Sequence, residues 1–296
     1  MSPGGGHGGG GGHGAHGAHG HGAPPGDEPF TASLERMNRF QEPLAAAIIA
    51  ECGVPRGSRG LDVGCGAGLW TRWLAEAVGT GGHVLGLEPD PKRVVAAKEL
   101  AGTPSGGGAI AFDVGDATAL TLASASVDWA WLGDVLHHVV DTAAALRELR
   151  RVVRPGGRIA VKESQVPAAM FLPGQPELER RIQVAEIQRT LDEGAGRSFQ
   201  ERRQTTPGAL RAAGLEDVAI RTWVLQRRAP LAPADQDYIQ RTVFSRNWGE
   251  RLRPLLSADD WALRTAVCDA ESPDNALRRP DYWCLYPITL FVARVP

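Results

Sequence analysis

Cysteine is scarce: Cys52, Cys65, Cys268 and Cys284 are scattered, and no two form a Cys-x-x-Cys pair. That spacing gives no disulfide framework and fits a reduced compartment. No secretory apolar segment follows Met1, so a cytoplasmic location is expected. Long hydrophobic runs are missing too. Stretches such as Leu44 to Ala50 fall far short of the ~20 residues a bilayer-crossing helix needs, and no membrane partner is expected. Nor is there a surplus of one charge, since 32 basic residues stand against 34 acidic ones. A chain so balanced lacks the field that binding a phosphate backbone requires, which argues against nucleic acid as a partner. Lysine is almost absent, confined to Lys92, Lys98 and Lys162.

Apolar material is plentiful: 43% of the residues are hydrophobic, enough for an ordinary globular core. It is distributed unevenly. Residues 1–29 are almost entirely Gly, His, Ala and Pro, a composition that cannot offset backbone ordering entropy, and the stretch reads as a disordered tail. Its histidines His7, His13, His16, His19 and His21 could hold a transition metal such as Ni(II), but flexible His/Gly tracts do so without function, and no metal site is assigned.

From residue 30 to 296 the pattern is that of one domain. Leu34, Met37, Phe40, Leu44, Ala47 and Ile48 recur every three or four residues between Thr31 and Glu51, which predicts a helix with Pro43 as a point of interruption. Short apolar runs then alternate with amphipathic segments. Strands are expected at Gly60–Val63, His83–Leu87, Ile110–Val114, Val127–Leu132 and Arg158–Lys162, with helices at Leu69–Val78, Pro91–Leu100 and Thr142–Val153. This alternation predicts a doubly wound α/β fold with a mainly parallel sheet. Two more strands, Val218–Leu225 and Trp283–Val295, bring the sheet to seven. Helical insertions at about 165–206 and 230–281 interrupt the pattern, with helices expected over Glu177–Leu191 and from Pro207 to Ala213, and amphipathic helical segments near Gln236–Arg246 and Ala258–Val267; the second insertion is too long for a turn and is expected to cap a site.

The chemistry concentrates at the ends of the early strands. Leu61-Asp62-Val63-Gly64-Cys65-Gly66-Ala67-Gly68 closes one strand and opens a helix, so that backbone can approach a ligand without Cβ interference. Glu88 follows at the end of the next strand, about 20 residues on, where a carboxylate can accept from both hydroxyls of a ribose. These two features suit any adenosine ligand. Each carboxylate also has a plainer reading: Asp62 and Asp116 could serve turns, and Glu88 could cap the helix near Pro91.

Adding Asp62, Gly115-Asp116-Ala117 and Arg154-Pro155-Gly156-Gly157, the stretch from Gly60 to Glu163 resembles the class I S-adenosylmethionine-dependent methyltransferase family, small-molecule type, with its Rossmann-like fold. The resemblance implies S-adenosyl-L-methionine as cofactor and S-adenosyl-L-homocysteine as product. By position, Asp62 would hold the methionine ammonium, Glu88 the ribose and Asp116 the adenine amino group. Pro89 and Ala117 would press on the adenine faces. Gly64, Cys65, Gly66, Gly68 and Gly133 complete the expected cofactor contacts. A cofactor with a sulfonium, an ammonium and a carboxylate calls for separated carboxylates and backbone amides rather than a diphosphate cradle.

Trp131-Leu132-Gly133-Asp134-Val135-Leu136-His137-His138 resembles the family's loop beside the reactive methyl, without the Asn/Asp-Pro-Pro-Tyr of adenine N-methylating members. His138 stands at the family's common histidine position, either as a general base or as a structural hydrogen-bonding residue. The candidates for removing a proton are His138, His137, Glu163 and Tyr238. All three tyrosines, Tyr238, Tyr282 and Tyr286, lie beyond Leu231 together with Phe244, Trp248, Trp261 and Trp283. They suggest an acceptor pocket of apolar or aromatic character, or else the core of the cap. The arginine pairs, Arg202-Arg203 among them, are read as solvated faces. The expected activity is methyl transfer to a small molecule, such as a secondary metabolite, by in-line displacement. The alternatives are a protein or RNA methyltransferase, and a non-catalytic cofactor-binding or metal-handling protein.

Overall fold

The structure, a computed structural model, describes residues 30–193 and 196–296. The predicted tail over residues 1–29, with its candidate metal-binding histidines, lies outside the described residues. Seven strands form one sheet in the order β3-β2-β1-β4-β5-β7-β6. They are β1 (Arg59–Val63), β2 (His83–Glu88), β3 (Ala109–Val114), β4 (Val127–Gly133), β5 (Val153–Ser164), β6 (Glu216–Arg228) and β7 (Trp283–Arg294). The first five pair in parallel, and β7 runs antiparallel between β5 and β6. The doubly wound, seven-stranded Rossmann-like sheet expected from the pattern is therefore present, with an antiparallel pair at one edge.

Crossover helices α2 (Leu69–Val78), α3 (Pro91–Ala101) and α4 (Thr142–Val152) connect the parallel strands. Their starts are written in the sequence. Asp90 caps α3 by accepting from the Lys92 amide at 2.9 Å, and Asp141 caps α4 by accepting from that of Ala144 at 2.8 Å. Ahead of the sheet lies α1 (Phe30–Cys52); α5 (Pro176–Glu193) and α6 (Phe199–Ala212) precede β6.

Three local expectations need correction. Helix α1 runs unbroken through Pro43, because Phe40, Gln41, Ala45, Ile48 and Ile49 on either side of the proline are buried and hold the helix by packing. Helix α6 begins at Phe199, ahead of the predicted Pro207. Its cap is Ser198, whose Oγ accepts from the Glu201 amide at 3.1 Å. The segment expected as a helix near Gln236–Arg246 is a short α7 (Pro233–Asp237) continued by π-helical turns over Tyr238–Asn247. Helix α8 (Ala258–Cys268) completes this insertion.

Strand alternation divides the core between the two faces of the sheet. Trp129, Trp131 and Ala160 face a layer containing α1, α2 and the aromatics of the 230–281 insertion. Ala130, Leu132, Ile159 and Val161 face α4 and α6. The carboxyl ends of β1, β2, β4 and β5 open along one edge between these layers, where open α/β sheets bind their ligands.

Candidate active site

On the β1–β2 side the glycine turn has the geometry its composition implied. Gly64 and Gly68 adopt φ of 72° and 77°, a region L side chains rarely enter. A Cβ on Gly64 would also run into Val135, and one on Gly68 would sit 2.9 Å from Phe112. Cys65 is buried in this turn, and burial pushes its thiol far above the ordinary range, so it packs as an apolar group.

The two buried carboxylates differ in their company. Asp62 is 1% exposed and accepts from the Thr71 hydroxyl at 2.6 Å. Burial raises its carboxyl to about 7, against the Thr71 hydrogen bond, and nearby Glu88 adds to the rise. Glu88 accepts from the Gly66 amide at 3.1 Å and from Arg93 at 3.2 Å. Because Asp90 caps α3, Glu88 is not needed there. Asp116 is exposed and ties both the amide and the hydroxyl of Thr118 at 2.8 Å, a turn role that leaves its outer face open. Pro89 is exposed, whereas Ala117 packs against the α4 layer. The first turn of α1 closes over this side. The Leu34 side chain lies against Gly66, and the Phe30 ring receives the Arg93 guanidinium at 4.4 Å and that of Arg246 at 4.8 Å.

At the ends of β4 and β5 the structure brings together groups that the sequence scatters. Strand alternation sends Lys162 and Ser164 to the α1 side and Glu163 to the α6 side. Lys162, fully buried, donates to Asp134, to Gln41 Oε1 and to Ser164 Oγ. Asp134, which follows Gly133 in a left-handed conformation (φ 58°), also accepts from the Ser164 amide and hydroxyl. Burial works against its charge, but Lys162 outweighs that and brings the carboxyl down to about 2. Gln41 continues the network by donating to Ser164 at 3.0 Å and to the Tyr286 hydroxyl at 3.3 Å, with Tyr238 3.5 Å beyond. Tyr238 is buried, stacked on Phe40 at 4.4 Å, and burial lifts its hydroxyl well above the ordinary range.

On the α6 side Glu163 and His137 are buried with 2.6 Å between Oε2 and Nδ1. Arg203 Nη2 lies 2.8 Å from His137 Nε2 and can only donate, so the ring's own hydrogen sits on Nδ1 and points at Glu163. Burial, then Arg203, pushes the His137 pKa well down, leaving a neutral ring, while burial raises Glu163 against the pull of Arg203. Arg202, 8% exposed, donates to the Val139 carbonyl at 2.6 Å, so this arginine pair is inward-facing where a solvated face was expected. Nearby Glu186 on α5 is raised by burial and faces Arg189, Arg203 and the Trp248 indole. His138, by contrast, is exposed, its ring 4.6 Å from that of Phe199. Phe244 and Trp248 stack on each other inside the core.

Of the residues named from the sequence, Asp62, Glu88, His137 and Glu163 are buried at these strand ends; Gln41, Lys162, Ser164, Asp134 and Arg203, which the motif reading did not name as candidates, stand beside them. Among the described residues there is no group of three His, Cys, Asp or Glu side chains placed to hold a metal ion. Among them, too, no helix is long and apolar enough to cross a membrane.

Comparison with known proteins agrees with this architecture. Residues 61–161 match a family model described as a methyltransferase domain. Over 120 residues the chain is 33% identical to demethylmenaquinone methyltransferase of Staphylococcus aureus, covering 40% of this chain and 48% of that protein. The chain spans less than half the length of the curated relatives it matches. Among solved structures, YcgJ of Bacillus subtilis superposes with a TM-score of 0.51 at 18% identity, covering 86% of this chain and 99% of that one. Phosphoethanolamine N-methyltransferase 2 of Haemonchus contortus, solved with phosphomonomethylethanolamine and S-adenosylhomocysteine, gives 0.53 at 16% identity over 90% of this chain and 57% of its own.

Proposed function

We propose that this chain, which carries a class I S-adenosylmethionine-dependent methyltransferase domain, transfers the methyl group of S-adenosyl-L-methionine to a small acceptor of apolar or aromatic character. The observation that carries the reading is the buried Asp62 carboxyl. Among the described residues it has a hydroxyl and another carboxylate beside it but no cationic partner, next to a glycine turn and one strand from Glu88. An ammonium would supply the cation that Asp62 lacks, and a ribose at Glu88 would exchange with Arg93 for the carboxylate. The bound cofactor brings an electrophilic methyl on a sulfonium. This chain contributes alignment and exclusion of water. Asp116, Pro89 and Ala117 border the adenine, and Gly133 leads the β4 end toward the acceptor.

The acceptor side is the polar interior at the ends of β4 and β5, lined by Phe40, Tyr238, Tyr286 and Trp248. Its proton acceptor is the His137–Glu163 pair, which is released for that role when Arg203 withdraws from Nε2. His138 lies at the rim, and Tyr238 orients through Tyr286. The insertions at 165–206 and 230–281 supply acceptor specificity. Calorimetric titration with S-adenosyl-L-methionine tests the cofactor half. Glu88→Ala is expected to weaken binding by about 1.5 to 3 kcal/mol, the loss of a charge-assisted hydrogen bond. Wild-type affinity in that variant would overturn it. An acceptor screen read by mass spectrometry tests the transfer.

A further inference from the structure

Strand β6 ends the sheet, and among the described residues nothing pairs with its outer edge. Unpaired edges are usually short, bulged or studded with like charge, because they template association. This one is 13 residues long, with its register irregularity confined to the start, between Glu216 and Ala219. Its two faces differ. Arg221, Trp223, Leu225 and Arg227 turn toward α1, where Arg221 pairs with Glu51 and Arg227 donates to the Phe40 carbonyl. On the other face Ile220 and Val224 are 54% and 53% exposed, flanking an exposed Thr222.

The charges on β6 are arranged by end. Glu216 and Asp217 open the strand, and Arg227 and Arg228 close it. A second copy running antiparallel, with Thr222 on the two-fold axis, sets the acidic start of each strand toward the basic end of the other. It places Ile220 opposite Val224 of the second copy, joining four exposed aliphatic side chains in one patch. Arg221 then faces Trp223 of the second copy, a cation beside an aromatic ring. No like charges oppose each other in this register, whereas a parallel partner would set acid beside acid and base beside base.

We infer that β6 is the dimer interface of this protein, joining two copies by antiparallel edge pairing into one continuous sheet. The strand is self-complementary in its charges and in its exposed aliphatic side chains, as a two-fold contact requires. It lies on the far side of the sheet order from the glycine turn, so each copy keeps its own site, and the inference stands apart from the proposed activity.

The test uses the full chain. Sedimentation velocity should show a dimer at micromolar concentrations, and Ile220→Lys combined with Val224→Lys should weaken it at least about tenfold. Both side chains are exposed, so the far-ultraviolet circular dichroism spectrum should remain that of the parent, while the melting temperature falls only as far as loss of the dimer requires. Register is read by Thr222→Cys: directly opposed residues of an antiparallel pair have Cα atoms about 4.5 to 5.5 Å apart, within disulfide reach. Because the four native cysteines are buried, oxidation should give a covalent dimer through position 222 alone, with exposed Val95→Cys on α3 as the uncoupled control. Hydrogen exchange in β6 should quicken on dilution. A monomer across the micromolar range, a dimer indifferent to the two lysines, or Thr222→Cys coupling no faster than Val95→Cys would each overturn the inference. So would protection of β6 that is independent of concentration, because that would mean residues of the same chain cover the edge.

Discussion

The two halves of the sheet's carboxyl edge treat buried charge in opposite ways. At β1, Asp62 is buried with a hydroxyl and a neighbouring carboxylate for company, and its own carboxyl is driven up to about 7. At β4 and β5, Asp134 meets Lys162, and Glu163 meets His137 and Arg203, so charge there is compensated from within. On the first side Glu88 has Arg93, but among the described residues Asp62 has no cation beside it. The second balances its charges within the fold, so the same residue type is placed in two electrostatically different settings.

The comparison can be broken most forcefully at Lys162. Lys162→Met leaves Asp134 buried without its cation and should cost about 3 to 5 kcal/mol of stability by chemical denaturation. Adding Asp134→Asn should recover part of that loss, and strict additivity would show that the pair is not coupled. Next in size is Glu163→Gln, which removes the carboxyl group that holds the His137 ring at Nδ1. Turnover is expected to fall about 100-fold, the ordinary worth of general-base assistance, with cofactor affinity retained. Equal losses in both quantities would place Glu163 in the scaffold instead.

Asp62→Asn sharpens the other side of the comparison. Cofactor affinity should fall by about 1.5 to 3 kcal/mol at pH 8, measured by calorimetry. In the parent protein the ammonium binds the carboxylate form, so affinity should decline as pH drops below about 7, by at most tenfold per unit; in the variant this dependence should vanish. Stability of the ligand-free protein moves the other way. The folded state keeps a proton that the unfolded chain releases near pH ~3.9, so this group's contribution is greatest below that pH. It declines as pH rises to about 7 and is level above, where the carboxyl is ionised in both states. The smallest effect is expected at His138, exposed and resting on Phe199; His138→Ala should change steady-state rates by no more than about threefold, the range of surface substitutions.

Legibility in the sequence followed the same division. The strands and the crossover helices could be read because apolar periodicity and caps such as Asp90 and Asp141 are local signals. Asp62 and Glu88 were legible because a glycine turn and strand spacing fix them. Lys162-Glu163, an ionisable pair closing the apolar run Ile159-Ala160-Val161, was a signal of which only Glu163 was used. Gln41 carried none: it looks like any polar residue on an amphipathic helix, and its role comes from contacts with Lys162 and Ser164 more than a hundred residues away. Arg203 was hidden in a basic pair, and only tertiary packing turns that pair inward. Pro43 and Pro207 misled for the complementary reason, since long-range burial overrode a local helix-breaking preference.

The closure of α1 over the glycine turn has a kinetic meaning. Glu88 holds Arg93, Arg93 rests on Phe30, and Phe30 also meets Arg246 from the π-helical segment. On the proposed reading, a ribose at Glu88 would compete with Arg93 for the same carboxylate, so loading and unloading would each exchange one partner of this latch for another. The residence time of spent cofactor would then belong to the first turn of α1 as much as to the pocket beneath it, with solvent viscosity as a handle on turnover.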